Sequence, residues 1–159
     1  GESDKEILER MEKIYKKSDL KRTYFSAFTP IEETEFSNKQ ACSTDRTSKL
    51  YNADSLLNDY HYSVKELIFD ENDKLSLTQD PKILAAKNMD IFPVEINRAP
   101  LVELIRVPGI GVKSAREIIS IRKKIPFTSE HQLKKLGVIV ERAEPYIKID
   151  GEYQTTFDF

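Results

Sequence analysis

The residues best suited to chemistry lie between positions 107 and 115, where two glycines, a lysine and a serine follow one another closely. Gly109 and Gly111 flank Ile110, and glycine lets a chain reverse sharply because it has no Cβ to clash at positive φ. Backbone amides beside such a turn can approach a phosphate where a helix starts, since its first amides are unpaired. Lys113 and Ser114 follow at positions from which an ammonium and a hydroxyl can reach the same phosphate. The spacing predicts a phosphate-binding turn that carries no base information.

Two short helices are needed to hold this turn in place. An apolar stripe before the turn predicts the first helix, with Asn97 as its cap and Pro100 in its first turn. Pro108 and Gly109 end that helix, and a second helix is predicted from about residue 113 to residue 124. Ile110 is expected to point inward and fix the turn to the core.

A second helix, glycine turn and helix follow, so the pattern occurs twice between residues 99 and 147. Ser129 and Gln132 have the spacing of a capping box. Gly137 is suited to a left-handed C-terminal cap. This second copy is degenerate, and Gly137 and Arg142 are its predicted contacts to nucleic acid.

Positive charge is concentrated around the two turns. Residues 97–150 hold 11 Lys or Arg against 6 Asp or Glu, a net +5, although the chain as a whole has a net charge of −2. A basic region of this kind is typical of proteins that bind nucleic acid. Arg116 is the additional predicted contact on the second helix. The other basic residues are either phosphate contacts or a solvated face: Arg122, Lys123, Lys124, Lys134 and Lys135.

The N-terminal part predicts a mainly helical region. Helices are expected over residues 3–18, 47–60 and 78–88, and a short strand over Arg22–Phe28. The strand pattern favours packing of Tyr24, Phe25 and Phe28 in the core over stacking on bases. The fold class is therefore mainly α, with short strands near the N-terminus and a C-terminal module of two hairpins.

Other classes of site find little support. Cys42 is the single cysteine, so an intramolecular disulfide is excluded, and His61 and His131 lie far apart without metal-ligand spacing. Asp54 and Asp80 are expected to be helix caps or ion-pair partners. With no apolar stretch of about 18 residues and no apolar leader, a cytoplasmic protein without membrane contact is expected. Because the sequence starts with glycine, a larger protein is expected to continue upstream.

Residues 107–115 resemble the helix-hairpin-helix of DNA-repair and DNA-uptake proteins. Asn97-Arg98-Ala99, followed by a helix and the Pro-Gly-Ile-Gly turn, resembles the paired version of that motif. The resemblance implies sequence-nonspecific binding to a DNA backbone, and a second copy that is mainly structural.

A longer resemblance extends from about residue 20 to residue 148, to the C-terminal region of a radical SAM protein family assigned to DNA modification or repair. That family has a 4Fe–4S cluster and S-adenosylmethionine in an upstream domain, and the resemblance implies a companion related to uracil-DNA glycosylases. The three cluster cysteines are absent here, so no cofactor is expected in this chain. The matching segments are Thr23–Pro30, Leu50-Tyr51, Ala53-Asp54, Leu56-Leu57, Asp80-Pro81-Lys82, Phe92-Pro93-Val94, Asn97, Ala99, Leu136-Gly137-Val138 and Arg142-Ala143.

The sequence thus predicts three parts. Residues 1–90 are expected to form a helical region with a short strand, which is the end of a larger catalytic domain plus a connector. A tandem helix-hairpin-helix domain follows over 91–150, and a tail over 151–159. We expect DNA backbone binding without catalysis by this chain alone. Two alternatives remain open. One is a protein-interaction scaffold that docks a catalytic partner or domain, and the other is a fragment that lines the substrate cleft of an enzyme acting on nucleic acid.

Overall fold

A computed structural model describes residues 1–150 and the backbone of residues 152–153. The rest of the predicted tail lies outside the described residues. The chain divides into two compact units, one over Gly1–Ala85 and one from Ala86 onward. The described helices are α1 (Asp4–Lys17), α2 (Thr44–Asn58), α3 (Pro81–Lys87), α4 (Leu101–Leu104), α5 (Val112–Arg122), α6 (Glu130–Lys134) and α7 (Val140–Ala143), with 3-10 turns at Val64–Glu66 and Glu144–Tyr146.

The first unit is built on contact between α1 and α2. A capping box between Ser3 and Glu6 starts α1, because each side chain satisfies a backbone amide that the helix leaves unpaired. Both helices bury one apolar face, as their residue spacing predicts. The core of this unit includes Leu8, Met11, Leu50, Ala53, Leu56 and Leu57.

Acidic side chains form hydrogen bonds that connect separate segments of this unit. Asp4 is 1% exposed and accepts hydrogen bonds from Arg46 Nε at 2.6 Å and from the Leu75 amide at 2.8 Å. Asp54 lies in the middle of α2 and accepts a 2.5 Å hydrogen bond from the Tyr15 hydroxyl, so its predicted role as a cap or ion-pair partner is wrong. Asp80 does cap α3, because its carboxylate accepts from the amides of Lys82 and Ile83.

The strand predicted at Arg22–Phe28 is wrong. The backbone of Phe25 pairs with the Tyr51 hydroxyl, which accepts from the amide at 2.8 Å and donates to the carbonyl at 3.0 Å. A side chain of α2 therefore takes the place of a neighbouring strand. Core packing is also wrong for Tyr24 and Phe28, which are 79% and 40% exposed.

The second unit holds a small sheet, formed by β1 (Val94–Glu95), β2 (Ile147–Ile149) and β3 (Glu152–Tyr153) in that order. β1 pairs with β2 in parallel, and β2 pairs with β3 antiparallel. The helices between β1 and β2 bury their apolar residues in one core. Its most enclosed side chains are Ile96, Leu104, Val107, Ile110, Ile118, Leu133 and Ile147.

Asn97 does not cap a helix, contrary to prediction, since the residue before α4 is Pro100. Its side chain instead pairs with the backbone of Phe127. The amide nitrogen donates to the Phe127 carbonyl at 2.9 Å, and the side-chain oxygen accepts from the Phe127 amide at 2.7 Å. Asn97 thus joins the segment before α4 to the segment after α5.

Candidate nucleic-acid interface

The turn between α4 and α5 depends on one glycine with a left-handed backbone. Gly109 has φ +86°, a conformation that L side chains rarely adopt. Gly111 has φ −84° and ψ 167°, so the positive φ considered for it is not what the chain uses. Ile110 is 1% exposed. Its side chain packs in the core and fixes the turn. Its backbone alone lies beside the start of α5.

Backbone amides at the start of α5 are available to a ligand. The first hydrogen bond of this helix runs from the Ala115 amide to the Gly111 carbonyl at 2.9 Å. Among the residues that the structure describes, none accepts a hydrogen bond from the amides of Gly111, Val112 or Lys113. Because α5 has 11 residues, its aligned peptide dipoles add positive potential at this end.

Two basic side chains accompany these amides. Lys113 and Arg116 are exposed and lie three positions apart on α5, so they project from the same side of the helix. Within residues 1–150, neither forms an ion pair with an acidic side chain. Positive charge and open amides therefore coincide at one end of α5.

Ser114 does not offer its hydroxyl to a phosphate, contrary to prediction. It is 7% exposed, and its Oγ donates to the Leu136 carbonyl at 2.8 Å. Ser114 lies on the buried side of α5, and its hydroxyl therefore faces the second hairpin. Its role is structural.

The two hairpins are also joined through their backbones. The Ile139 amide donates to the Gly109 carbonyl at 2.9 Å. A Cβ at Gly109 would collide with the Ile139 carbonyl oxygen and lie 3.1 Å from the Cβ of Arg142. Gly109 is therefore needed twice, for the shape of its own turn and for the close approach of the second turn. The residue pattern around Gly109 does not predict the second requirement.

The second hairpin has the predicted local structure. Ser129 and Gln132 form the capping box before α6, and Gly137 ends that helix with φ +83°. The Gly137 amide donates to the Lys134 carbonyl at 3.1 Å. Arg142 is exposed on α7.

The remaining basic residues are not equivalent. Arg122 donates to the Ile96 carbonyl at 2.8 Å, and burial lowers the pKa of its guanidinium. This contact holds the end of α5 to the segment after β1. The other four basic residues of the predicted set are exposed: Lys123, Lys124, Lys134 and Lys135.

Comparison with known proteins agrees with this geometry. Residues 91–143 match the helix-hairpin-helix motif. The match spans 53 of the 159 residues and includes both hairpins. Motifs of this kind generally bind nucleic acid without reading its sequence. No curated protein and no solved structure matches the chain.

Residues of the types that ligate metals are not clustered in the described part of the chain. Over the described residues, no group of three or more His, Cys, Asp or Glu is arranged to hold a metal ion. A 4Fe–4S cluster bound through three cysteines does not fit a chain whose single cysteine is Cys42. A search of the same residues finds no helix with the length and apolar character to span a bilayer.

Proposed function

We propose that this chain binds DNA through its sugar-phosphate backbone, without sequence preference, by the first hairpin of its helix-hairpin-helix module. One observation carries the proposal. The open backbone amides of Gly111, Val112 and Lys113 lie at the same end of α5 as the exposed ammonium of Lys113. Amides and an ammonium are the donors that phosphate oxygens accept best. The motif match over residues 91–143 supports the same conclusion.

Recognition of this type has a defined physical signature. Main-chain amides and a lysine contact phosphate oxygens that every nucleotide presents, so affinity varies little with sequence. Each neutralised phosphate releases bound cations, and affinity consequently falls as salt rises. Gly109 and Ile110 shape the turn, whereas Gly111, Lys113 and Arg116 are the groups placed to touch the ligand.

The test is the substitution Lys113→Gln, with Lys123→Gln as the matched control at the other end of α5. Both remove one positive charge from an exposed position. Lys113→Gln should weaken duplex binding equally for unrelated sequences and lower the salt slope by about one. The control should leave the slope nearly unchanged. Equal effects of the two substitutions would contradict a localised phosphate contact.

We further propose that the chain is the C-terminal part of a radical SAM protein acting in DNA repair or modification. The segments resembling that family, from residue 20 to residue 148, support this assignment. The cluster, S-adenosylmethionine and catalysis would belong to an upstream domain in the cytoplasm, with a glycosylase-like companion as a partner. Recovery of the upstream coding sequence tests the proposal, and absence of a cysteine triplet there would remove it.

A protein-docking role is the second candidate function, and one observation favours it. Between residues 20 and 36 large apolar side chains stay exposed by 40% or more: Leu20, Tyr24, Phe28, Ile31 and Phe36. Contiguous exposed apolar side chains are typical of surfaces that bind a partner or a neighbouring domain, and the rings of Phe28 and Phe36 are in edge-to-face contact. Binding of the catalytic partner that persists after nuclease treatment would favour this role over DNA binding.

A further inference from the structure

The two hairpins share one backbone design, with each residue of the first matching the residue 28 positions later. The glycines at the turns have φ +86° and +83°. The next residue is buried in both, and an alanine that is 0% exposed follows in each helix. The matching pairs are Gly109 with Gly137, Ile110 with Val138, and Ala115 with Ala143.

The amides at the two turns differ despite this shared design. The Gly111 amide has no acceptor among the described residues. Its counterpart, the Ile139 amide, donates to the Gly109 carbonyl at 2.9 Å. The amide at this position therefore joins the second turn to the first, whereas the matching amide of the first turn stays open. Ile139 also has a side chain, 49% exposed, where the first turn has the bare backbone of Gly111.

The charges at two matched pairs of positions are opposite. Lys113 corresponds to Glu141, and Arg116 corresponds to Glu144. Glu141 is exposed, and in the described part of the chain it forms no ion pair. Burial and the nearby charge of Glu144 raise the pKa of Glu130, so the Glu144 carboxylate lies close enough to Glu130 for their charges to interact. At these two positions a phosphate near the second turn would meet carboxylates in place of cations, while the exposed Arg142 beside Glu141 is a cation where the first turn has Ser114.

We infer that the module binds one strand of DNA at a time, through the first hairpin, and that Ile139 and Glu141 keep phosphates away from the second. This inference rests on the proposed function and specifies its substrate: one continuous backbone, whether a single strand or either strand of a duplex. A module that held both strands through backbone amides would need open amides at both turns. The structure has them at the first turn, whereas the Ile139 amide of the second is occupied.

The test compares three ligands of equal length: duplex DNA, single-stranded DNA, and a duplex in which one strand carries uncharged methylphosphonate linkages. The half-neutral duplex should bind about as tightly as single-stranded DNA, because each presents one continuous charged backbone. All three ligands should give the same number of phosphate contacts once each salt slope is divided by the slope per phosphate of that ligand. Binding to the half-neutral duplex that is about tenfold or more weaker than binding to single-stranded DNA, together with fewer contacts, would overturn the inference. Failure to bind any of the three would overturn the proposed function itself.

Substitution provides an independent measurement. Glu141→Gln should raise affinity for duplex DNA above that of Glu9→Gln, which makes the same charge change on the exposed surface of α1. Equal affinities of the two variants would show that Glu141 does not keep phosphate away, and would overturn its assigned role. Circular dichroism of both variants establishes that they are folded.

Discussion

The Ser114 hydroxyl donates a 2.8 Å hydrogen bond to the carbonyl of Leu136. This bond joins the first turn of α5 to the loop that ends α6, across 22 positions of sequence. Ser114 directly follows Lys113, the residue that we place on a phosphate. The orientation of the helix start is thus fixed from inside the module, and the ligand-facing amides need no rearrangement before binding.

Replacing Ser114 by alanine should destabilise the module without removing a phosphate contact. The substitution leaves the Leu136 carbonyl without its partner, which costs about 1–3 kcal/mol of unfolding free energy. Chemical denaturation measures the loss, and Ser120→Ala, on the exposed side of α5, corrects for the higher helix propensity of alanine. DNA affinity of the folded variant should match the parent. A smaller dependence of the variant's DNA affinity on salt would show that Ser114 does contact a phosphate.

Gly109 and Gly111 should respond differently to the same substitution. Gly109→Ala forces an alanine into a left-handed conformation, which costs about 1–2 kcal/mol, and adds a collision with the Ile139 carbonyl. Gly111→Ala keeps an ordinary backbone and should cost at most about 1 kcal/mol as a poorer helix cap. It should nevertheless weaken DNA binding, because its methyl group lies beside the open amides. Equal stability of the two variants would contradict this division of roles.

Asn97 should be important for stability although it lies outside every helix. Asn97→Ala removes two hydrogen bonds to the Phe127 backbone and should cost about 1–3 kcal/mol. Thermal unfolding measures the change. Asn52→Ala, at an exposed position of α2, serves as the control and should be close to neutral. A neutral Asn97→Ala would mean that water replaces both bonds without loss.

Tyr15 should make stability fall at high pH. Burial, assisted by the hydrogen bond to Asp54, raises the pKa of Tyr15 from 10.0 to about 12. Between these values the folded chain keeps a proton that the unfolded chain releases, so the free energy of unfolding decreases as pH rises. The contribution is complete below pH 10. Denaturation at several alkaline pH values should show a smaller decrease in Tyr15→Phe. An identical decrease in parent and variant would contradict the raised pKa.

Sequence patterns predicted the features that depend on neighbouring residues. The capping box of Ser129 and Gln132 and the left-handed Gly137 follow from local backbone requirements. Burial of Ile110 follows from the apolar spacing around the turn. The capping box and the glycine turn involve residues at most three positions apart, so local geometry alone is enough to predict them.

Features that depend on distant residues were not predictable in this way. The type and position of Ser114 predict a phosphate ligand. Only the structure shows that its hydroxyl already donates a hydrogen bond to the Leu136 carbonyl. The type and position of Asn97 predict a helix cap, but its side-chain amide forms a hydrogen bond with the Phe127 carbonyl. Arg22–Phe28 has strand composition, yet it meets the Tyr51 hydroxyl in place of a second strand. In each case a tertiary partner replaced the local one.

The pairing of Val94 with Ile147 brings together the points where the polypeptide enters and leaves the two-hairpin module. A segment that starts and finishes at neighbouring points can be added to a host protein without stretching the host on either side. Residues 94–149 consequently have the layout of a transferable cassette, closed by the pairing of its first and last strands.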